Sequence, residues 1–116
     1  MRLGPEAEAR VAEHLESLGW TVLERNWRCR YGEMDLVAED ARSVVFVEVK
    51  ARSSRRRGAP EEAVGPEKQA RLARVAAEYL AAKGLSERPA RFDVAAVEGG
   101  DVRLIHAAFE APRGTP

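Results

Sequence analysis

A valine-rich segment near the middle of the chain constrains the fold more than any other feature. Residues 44–50 read Val-Val-Phe-Val-Glu-Val-Lys, and the side chains of a strand alternate between its two faces. The odd-numbered valines then occupy one face, and Val44 and Phe46 occupy the other. A strand that is apolar on both faces is typical of a sheet that is covered on both sides. We therefore predict that residues 44–50 form the central strand of a small sheet.

Two charged residues interrupt the apolar pattern of this strand. Glu48 and Lys50 lie two residues apart, so they project from the same face as Phe46. An ionised group beside apolar surface is costly unless it is paired, bound to a metal or located at the edge of the sheet. The two charges therefore need a specific explanation, either structural or functional.

A second predicted strand precedes this one and carries another acid. Residues 32–38 read Gly-Glu-Met-Asp-Leu-Val-Ala, with Asp35 at a position where an apolar residue would pack better. The polar residues 40–43 predict a tight turn, which makes the two strands an antiparallel hairpin. If the turn is symmetric about its midpoint, Asp35 lies directly opposite Glu48. Two carboxylates and a lysine would then meet on one face of the sheet.

Periodicity and turn residues define the remaining elements. The predicted elements are helices at 5–18 and 66–83, strands at 20–24, 32–38, 44–50, 91–97 and 102–106, and an irregular segment at 25–31. This order, αβββαββ, predicts an α/β fold in which a small central mixed β-sheet is flanked by helices. The length of 116 residues predicts one domain, at 1–110, followed by a frayed tail at 111–116.

The first helix carries an acid on its inward side. Its apolar stripe consists of Val11, Ala12, Leu15 and Leu18. Glu8 lies three and four residues before Val11 and Ala12 and so continues that stripe. We therefore predict that the Glu8 carboxylate lies at the inward edge of the helix.

The distribution of charge is more informative than its total. The chain has 19 Lys and Arg against 19 Asp and Glu, so no global field favours nucleic acid. A local cluster without an acid comprises Lys50, Arg52, Arg55, Arg56 and Arg57. We predict that its four arginines contact phosphates of a nucleic acid, and a solvated arginine-rich loop is the alternative. No apolar run is long enough to cross a membrane, and the single Cys29 fits a reducing compartment, so a cytoplasmic location without membrane association is expected.

Two carboxylates on one face of a sheet are ligands of the kind that hard divalent cations prefer. Asp35 and Glu48, with the carbonyl of Val49, predict a site for Mg²⁺ or Mn²⁺, which would activate water and neutralise charge on a phosphodiester. Lys50 would hold the attacking water or stabilise the phosphorane. Glu8 would reach the metal through a water molecule.

Two structural alternatives need no catalysis. In the same register Glu33 lies opposite Lys50, so a cross-strand salt bridge would neutralise the lysine. Alternatively, both strand ends lie in solvent, where an acid and a lysine cost little. A further acid, Asp93, is predicted to pair with a nearby cation rather than to act as a third metal ligand.

These residues resemble a known group of nucleases. Asp35, followed across a hairpin by Glu48-Val-Lys50, is similar to the Asp…(Asp/Glu)-x-Lys core of the restriction-endonuclease-like superfamily, although Met34 stands where that superfamily commonly has Pro. More closely, the chain resembles the bacterial YraN-like family. The motifs that carry this resemblance are Gly4-x-x-x-Glu8, Gly32-Glu-Met-Asp35-Leu-Val, Phe46-Val-Glu-Val-Lys50-x-Arg52, Arg91-Phe-Asp-Val94 and Ala108-Phe109.

The resemblance extends to archaeal Holliday junction resolvases, and it implies metal-dependent phosphodiester cleavage with dimeric action on branched DNA. It also implies an active site at Glu8, Asp35, Glu48 and Lys50. The leading hypothesis is therefore a magnesium-dependent endonuclease acting on DNA. A non-catalytic nucleic-acid-binding module that retains the fold is the second hypothesis, and a protein-interaction domain whose arginines bind acidic partners is the third.

Overall fold

The computed structural model of the protein describes residues 5–52 and 64–109, except for the side chains of Arg52 and Phe109. Its elements are α1 (Pro5–Ser17), β1 (Thr21–Cys29), β2 (Gly32–Glu39), β3 (Val44–Arg52), α2 (Pro66–Ala82), β4 (Ala90–Glu98) and β5 (Asp101–Phe109). This αβββαββ order confirms the predicted restriction-endonuclease-like fold. The predicted tail at 111–116 lies outside the described residues.

The five strands form one mixed sheet in the order β1-β2-β3-β4-β5. All neighbouring strands are antiparallel except β3 and β4, which are parallel. Parallel neighbours require a crossover connection, and α2 lies within it. β3 is therefore the central strand, as predicted, and its residues 44–49 are all buried.

One helix covers each face of the sheet. α1 packs on the face that carries the odd-numbered valines of β3. α2 packs on the face that carries Val44 and Phe46, where the rings of Phe46 and Tyr79 meet edge to face with centroids 5.9 Å apart. Neither helix is long and apolar enough to cross a membrane. Because side chains alternate along β3, Glu48 shares the α2 side with Phe46.

Two details differ from the sequence predictions. β1 continues to Cys29, so residues 25–29, which were predicted to be irregular, are part of a strand. β1 is an edge strand with one neighbour, and its partly exposed arginines hide the apolar alternation. Leu18, which was predicted to be in the core, is 49% exposed because α1 ends at Ser17 and the chain turns through Gly19, whose φ is +87°.

The contrast between Leu15 and Leu18 provides a matched test of the α1 interface. Leu15 is completely buried, so Leu15→Ala should lower the free energy of unfolding by about 2–5 kcal/mol through lost burial and a residual cavity. Leu18→Ala removes the same atoms from a half-exposed site, and its effect should stay below about 1 kcal/mol. Urea denaturation of the two variants measures both values. Equal losses would show that α1 does not pack as described.

Candidate functional site

Asp35 leaves the regular pairing of β2 with β3. The register between these strands is the one predicted from a symmetric turn, and it extends as far as the pair Leu36 and Val47. At the next position the Asp35 carboxylate itself accepts a hydrogen bond from the backbone N–H of Val49, with an Oδ2–N distance of 2.8 Å. The side chain of Asp35 on β2 therefore binds the backbone of β3 at the point where the regular pairing of the two strands stops.

The alternation of side chains along β2 also breaks at Asp35. Leu36 packs in the core on the α1 side, whereas Met34 packs with Phe46 on the α2 side. A regular strand would place Met34 and Leu36 on the same face. On β1, the residue across from Asp35 is Asn26, whose φ is +53°, a conformation that asparagine tolerates better than most residues. This irregularity leaves Asp35 half-buried where the β2–β3 pairing stops, outside both apolar clusters.

Glu48 is a buried charge in the central strand. It is only 7% exposed. Its Oε2 atom lies 2.5 Å from Nζ of Lys68 and 3.5 Å from Nζ of Lys50. Lys68 comes from the first turn of α2, on the same side of the sheet. Two ammonium groups therefore compensate this carboxylate, as a buried charge requires.

The two carboxyl groups of the site interact directly. Burial and the charge of Glu48 raise the pKa of Asp35 to about 7 from the ordinary 3.8, although the Val49 N–H opposes the shift. A hydrogen bond between the Asp35 and Glu48 side chains adds to the rise, and the charge of Glu8 makes a smaller contribution in the same direction. Asp35 thus holds a proton over much of the pH range in which an exposed aspartate is ionised.

The two lysines of the site are shifted in opposite directions. Burial, followed by a hydrogen bond with Lys68, lowers the pKa of Lys50, while Glu48 opposes the shift. Burial also disfavours the charge on Lys68, but its hydrogen bonds with Glu48 and Lys50 outweigh that effect and raise its pKa. Lys68 is therefore the stable counter-charge of Glu48, and Lys50 is the lysine that loses its proton more readily.

The structure brings the predicted acids and Lys50 together where the regular pairing of β2 with β3 stops, within both strands. Asp35, Glu48 and Lys50 are joined by the contacts above, and Glu8 is close enough for its charge to affect Asp35. Of the predicted arginines, Arg55, Arg56 and Arg57 lie outside the described residues, as does the side chain of Arg52.

The predicted alternative of a Glu33–Lys50 salt bridge is wrong. Glu33 instead accepts a hydrogen bond from Arg28 on β1, with an Nε–Oε2 distance of 3.3 Å. The carboxylate that Lys50 contacts is Glu48, on its own strand. The alternative of fully solvated strand ends is also wrong, because Glu48 is buried.

Lys68 is the site residue that the sequence predictions missed. A lysine in the first turn of a helix is unfavourable because the N-terminal end of the helix dipole is positive. α2 begins at Pro66, so Lys68 occupies such a position, next to the better suited Glu67. The unfavourable position of Lys68 in the sequence could have indicated that an acid from another element lies close to it.

A second buried acid, Asp93 on β4, has a different environment. It is completely buried. Its carboxylate accepts hydrogen bonds from Arg91 Nε at 3.1 Å and from the backbone N–H of Ala107 at 2.8 Å, and it lies 3.1 Å from Nδ1 of His106. The prediction that Asp93 pairs with a nearby cation is confirmed.

The donor set of the site suits a hard divalent cation. Asp35 and Glu48 offer carboxylate oxygens in mutual contact, and Mg²⁺ typically binds one or two carboxylates together with waters. Over residues 5–52 and 64–109, no group of three or more His, Cys, Asp or Glu side chains is placed to hold a metal. The protein would therefore supply few ligands to such a cation, namely two carboxylates and at most one backbone carbonyl, such as that of Val49.

Comparison with known proteins identifies a family. Residues 7–97 match the model described as "Uncharacterised protein family UPF0102". A UPF0102 protein of Syntrophus aciditrophicus is 46% identical over 98% of this chain and 93% of the relative. One from Symbiobacterium thermophilum is 49% identical over 95% of this chain and 98% of the relative, and one from Mycobacterium sp. (strain KMS) is 50% identical over 84% and 74%.

The raised pKa of Asp35 predicts how stability changes with pH in metal-free protein. The folded protein keeps the Asp35 proton up to about pH 7, whereas the unfolded chain releases it near the ordinary pKa of 3.8. The contribution of Asp35 to stability is therefore greatest below about pH 4 and declines up to about pH 7, by at most about 1.4 kcal/mol per pH unit.

Asp35→Asn should remove that decline, since the amide keeps an acceptor for the Val49 N–H but does not titrate. Denaturant unfolding of both proteins between about pH 4 and 8 measures the difference. Glu13→Gln, at an exposed position of α1, is the control and should follow the wild-type profile. If the wild-type and Asp35→Asn profiles run parallel, the carboxyl pair is not coupled as described.

Proposed function

The chain belongs to the UPF0102 family, and we propose that it is a metal-dependent endonuclease that hydrolyses phosphodiester bonds of DNA. The observation that carries this proposal is the contact between the carboxyl groups of Asp35 and Glu48, with the amine of Lys50 3.5 Å from Glu48. Perturbed titration of several groups within one small cluster is a feature of catalytic sites.

The carboxyl pair supports a cation as the cofactor. Two adjacent carboxylates repel each other when both are ionised, and the raised pKa of Asp35 allows a proton to relieve that repulsion in the metal-free protein. We propose that Mg²⁺ or Mn²⁺ takes the place of that proton, with Asp35, Glu48 and the carbonyl of Val49 as its protein ligands. When bound, the metal would polarise a phosphoryl oxygen and increase the acidity of water.

Lys50 is suited to act on the phosphate. Hydrolysis adds water to phosphorus and breaks a P–O bond, and extra negative charge develops on the phosphoryl oxygens during the reaction. The ammonium of Lys50 would stabilise that charge. Its lowered pKa also makes proton exchange with water easier than for an exposed lysine. The charge of Glu8 contributes to the raised pKa of Asp35. Glu8 would orient a water molecule at the edge of the site.

The family resemblance extends the proposal to the substrate. We propose branched DNA, such as a four-way junction, as the substrate and a homodimer as the active form. Both rest on the similarity to archaeal Holliday junction resolvases. Arg52 is the last residue of the candidate catalytic strand, and Arg55, Arg56 and Arg57 come shortly after it in the chain. We propose that these four arginines bind the flanking phosphates.

One observation favours a second candidate function. Glu48 is already neutralised by Lys68 at 2.5 Å and by Lys50 at 3.5 Å, so its burial is satisfied without a metal. A non-catalytic nucleic-acid-binding module with the same fold would retain such an ion-pair cluster for stability alone. Under this alternative, nucleic-acid binding falls steeply with salt but does not depend on the carboxylates.

Cleavage assays separate the two functions. Purified protein is incubated with linear, forked and four-way DNA in Mg²⁺ or Mn²⁺, and we expect cleavage of at least one substrate. Glu48→Gln preserves the shape of the side chain but removes its charge, and it should slow cleavage by at least about a hundredfold, as expected for loss of a group that stabilises charge in the transition state.

Glu33→Gln is the matched control, because it makes the same chemical change on the neighbouring strand, at a residue whose partner is Arg28. It should cleave at a rate close to that of the wild type. No cleavage by the wild type with any of the substrates and metals, or cleavage that Glu48→Gln leaves unchanged, refutes the endonuclease. Salt-sensitive DNA binding that persists in Glu48→Gln would then support the non-catalytic module.

A further inference from the structure

A row of basic side chains extends along α2 away from the candidate site. Lys68, Arg71 and Arg74 are spaced three residues apart, so successive members are neighbours on the helix surface. Lys68 contacts Glu48, and Arg71 and Arg74 are exposed. Within the described parts of the chain, neither arginine forms a salt bridge. Their positive charge is therefore available to an external anion.

The turn between β1 and β2 continues this row. The aliphatic stem of Arg71 lies against Gly32, where its Cδ atom is 3.6 Å from the point that a Cβ would occupy. Next to Gly32, the ring of Tyr31 has two guanidinium groups over it, with Arg30 Cζ at 5.0 Å and Arg74 Cζ at 5.4 Å from the ring centroid. Arg30 Nη2 also donates a hydrogen bond to the Tyr31 hydroxyl at 3.0 Å.

We propose that Arg30, Arg71 and Arg74 form a phosphate-binding surface for the nucleic-acid strand that enters the candidate site, and that Tyr31 positions Arg30 and Arg74. We refer to these four residues as the α2 surface. It is separate from the predicted arginine cluster at 52–57. This inference rests on the proposed function, which makes a nucleic acid the ligand. It adds the path of that ligand, along α2 towards Glu48.

Spacing and charge favour a nucleic-acid backbone as the occupant. Arg71 and Arg74 are neighbours on one face of α2, with a separation of about 5–6 Å expected between their Cβ atoms, so both can reach phosphates of the same nucleic-acid strand. Guanidinium groups bind phosphate oxygens in a bidentate manner. The acids Glu67 and Glu78 are spaced four residues from Arg71 and Arg74, and Glu78 lines a small pocket together with Tyr31 and Arg74. Neither acid forms a salt bridge with these arginines in the described parts of the chain, and the two acids mark the limits of the positive surface on α2.

Tyr31 gives the surface a feature that an ordinary solvated face lacks. A free arginine side chain loses rotamer entropy when it binds an anion. Cation–π contact with a ring that is itself packed on the α2-side core restricts Arg30 and Arg74 before binding. Tyr31 is therefore a positioning residue, which affects affinity without contacting a phosphate.

Fluorescence anisotropy with a labelled DNA duplex and a labelled four-way junction tests the surface. The buffer contains EDTA, so that cleavage does not interfere, and the salt concentration is varied. In the Arg71→Ala/Arg74→Ala protein, we expect the slope of log K against log salt to become shallower by about 0.9 for each lost phosphate contact. Binding at about 0.1 M salt should weaken by more than about tenfold.

Arg25→Ala/Arg103→Ala is the matched control, because it removes the same charge from two exposed positions outside the α2 surface. Its salt slope should stay within about 0.3 of the wild-type value, on the scale of about 0.9 for one contact. Thermal unfolding by circular dichroism verifies that all variants fold. An equal effect of the two double substitutions would refute the surface, because only net charge would then matter.

Substitutions of Tyr31 have a distinct expected effect on affinity and salt slope in the same assay. Tyr31→Leu should weaken binding by roughly threefold with the salt slope unchanged, because the same phosphates are contacted by less restricted arginines. Tyr31→Phe keeps the ring and should bind almost as tightly as the wild type. A change of slope in Tyr31→Leu, or a Tyr31→Phe protein as weak as Tyr31→Leu, overturns the positioning role.

The outcomes distinguish this inference from the proposed function. Wild-type binding by Arg71→Ala/Arg74→Ala, together with cleavage that depends on Glu48, refutes the α2 surface and leaves the endonuclease intact. Weakened binding by that variant, with no cleavage by the wild type in Mg²⁺ or Mn²⁺, refutes the endonuclease and supports the surface. A wild-type protein that binds neither DNA overturns the α2 surface, and if it also cleaves no substrate in Mg²⁺ or Mn²⁺ it overturns the endonuclease as well.

Discussion

The burial of one negative charge, that of Glu48, governs how the candidate site is built on the central strand. β3 is apolar on both faces and central in the sheet, so a carboxylate on it is removed from water at considerable cost. The ammonium groups of Lys68 and Lys50 offset that cost. The first turn of α2 is therefore joined to the middle of β3 by charge as well as by apolar packing, and the α2 surface begins from that junction.

Asp35 has an unusual pKa because it is itself partly buried beside this charge. Its own burial and then the charge of Glu48 disfavour ionisation, while the Val49 N–H favours the charged form. The pKa of about 7 reflects a balance between these effects. A group balanced in this way responds strongly to any added cation, because the cation removes both the desolvation cost and the repulsion. That response is the physical basis for placing a metal at this pair.

The two buried acids of the described chain differ in the kind of partner they have. Asp93 is surrounded by donors with fixed geometry, namely the guanidinium of Arg91, the ring of His106 and a backbone N–H. Glu48 instead contacts another carboxylic acid and two lysines, which carry their charges on flexible stems. Fixed, complete hydrogen bonding suits a structural role. A titrating cluster that can exchange its partners suits binding and chemistry.

The amino-acid sequence by itself determined the central strand, the register of the hairpin and the order αβββαββ. These depend on alternation, helical periodicity and turn residues, which act between residues close together in the chain. It did not determine the irregularity at Asp35, which lies across from the left-handed Asn26, nor the full length of β1, which depends on its partner strand. Only the tertiary structure decided that Lys68 pairs with Glu48 at this site, and that Lys50 contacts Glu48 rather than Glu33 or solvent alone. Residues distant in the chain meet there because α2 must pack across β3 to bury its apolar face.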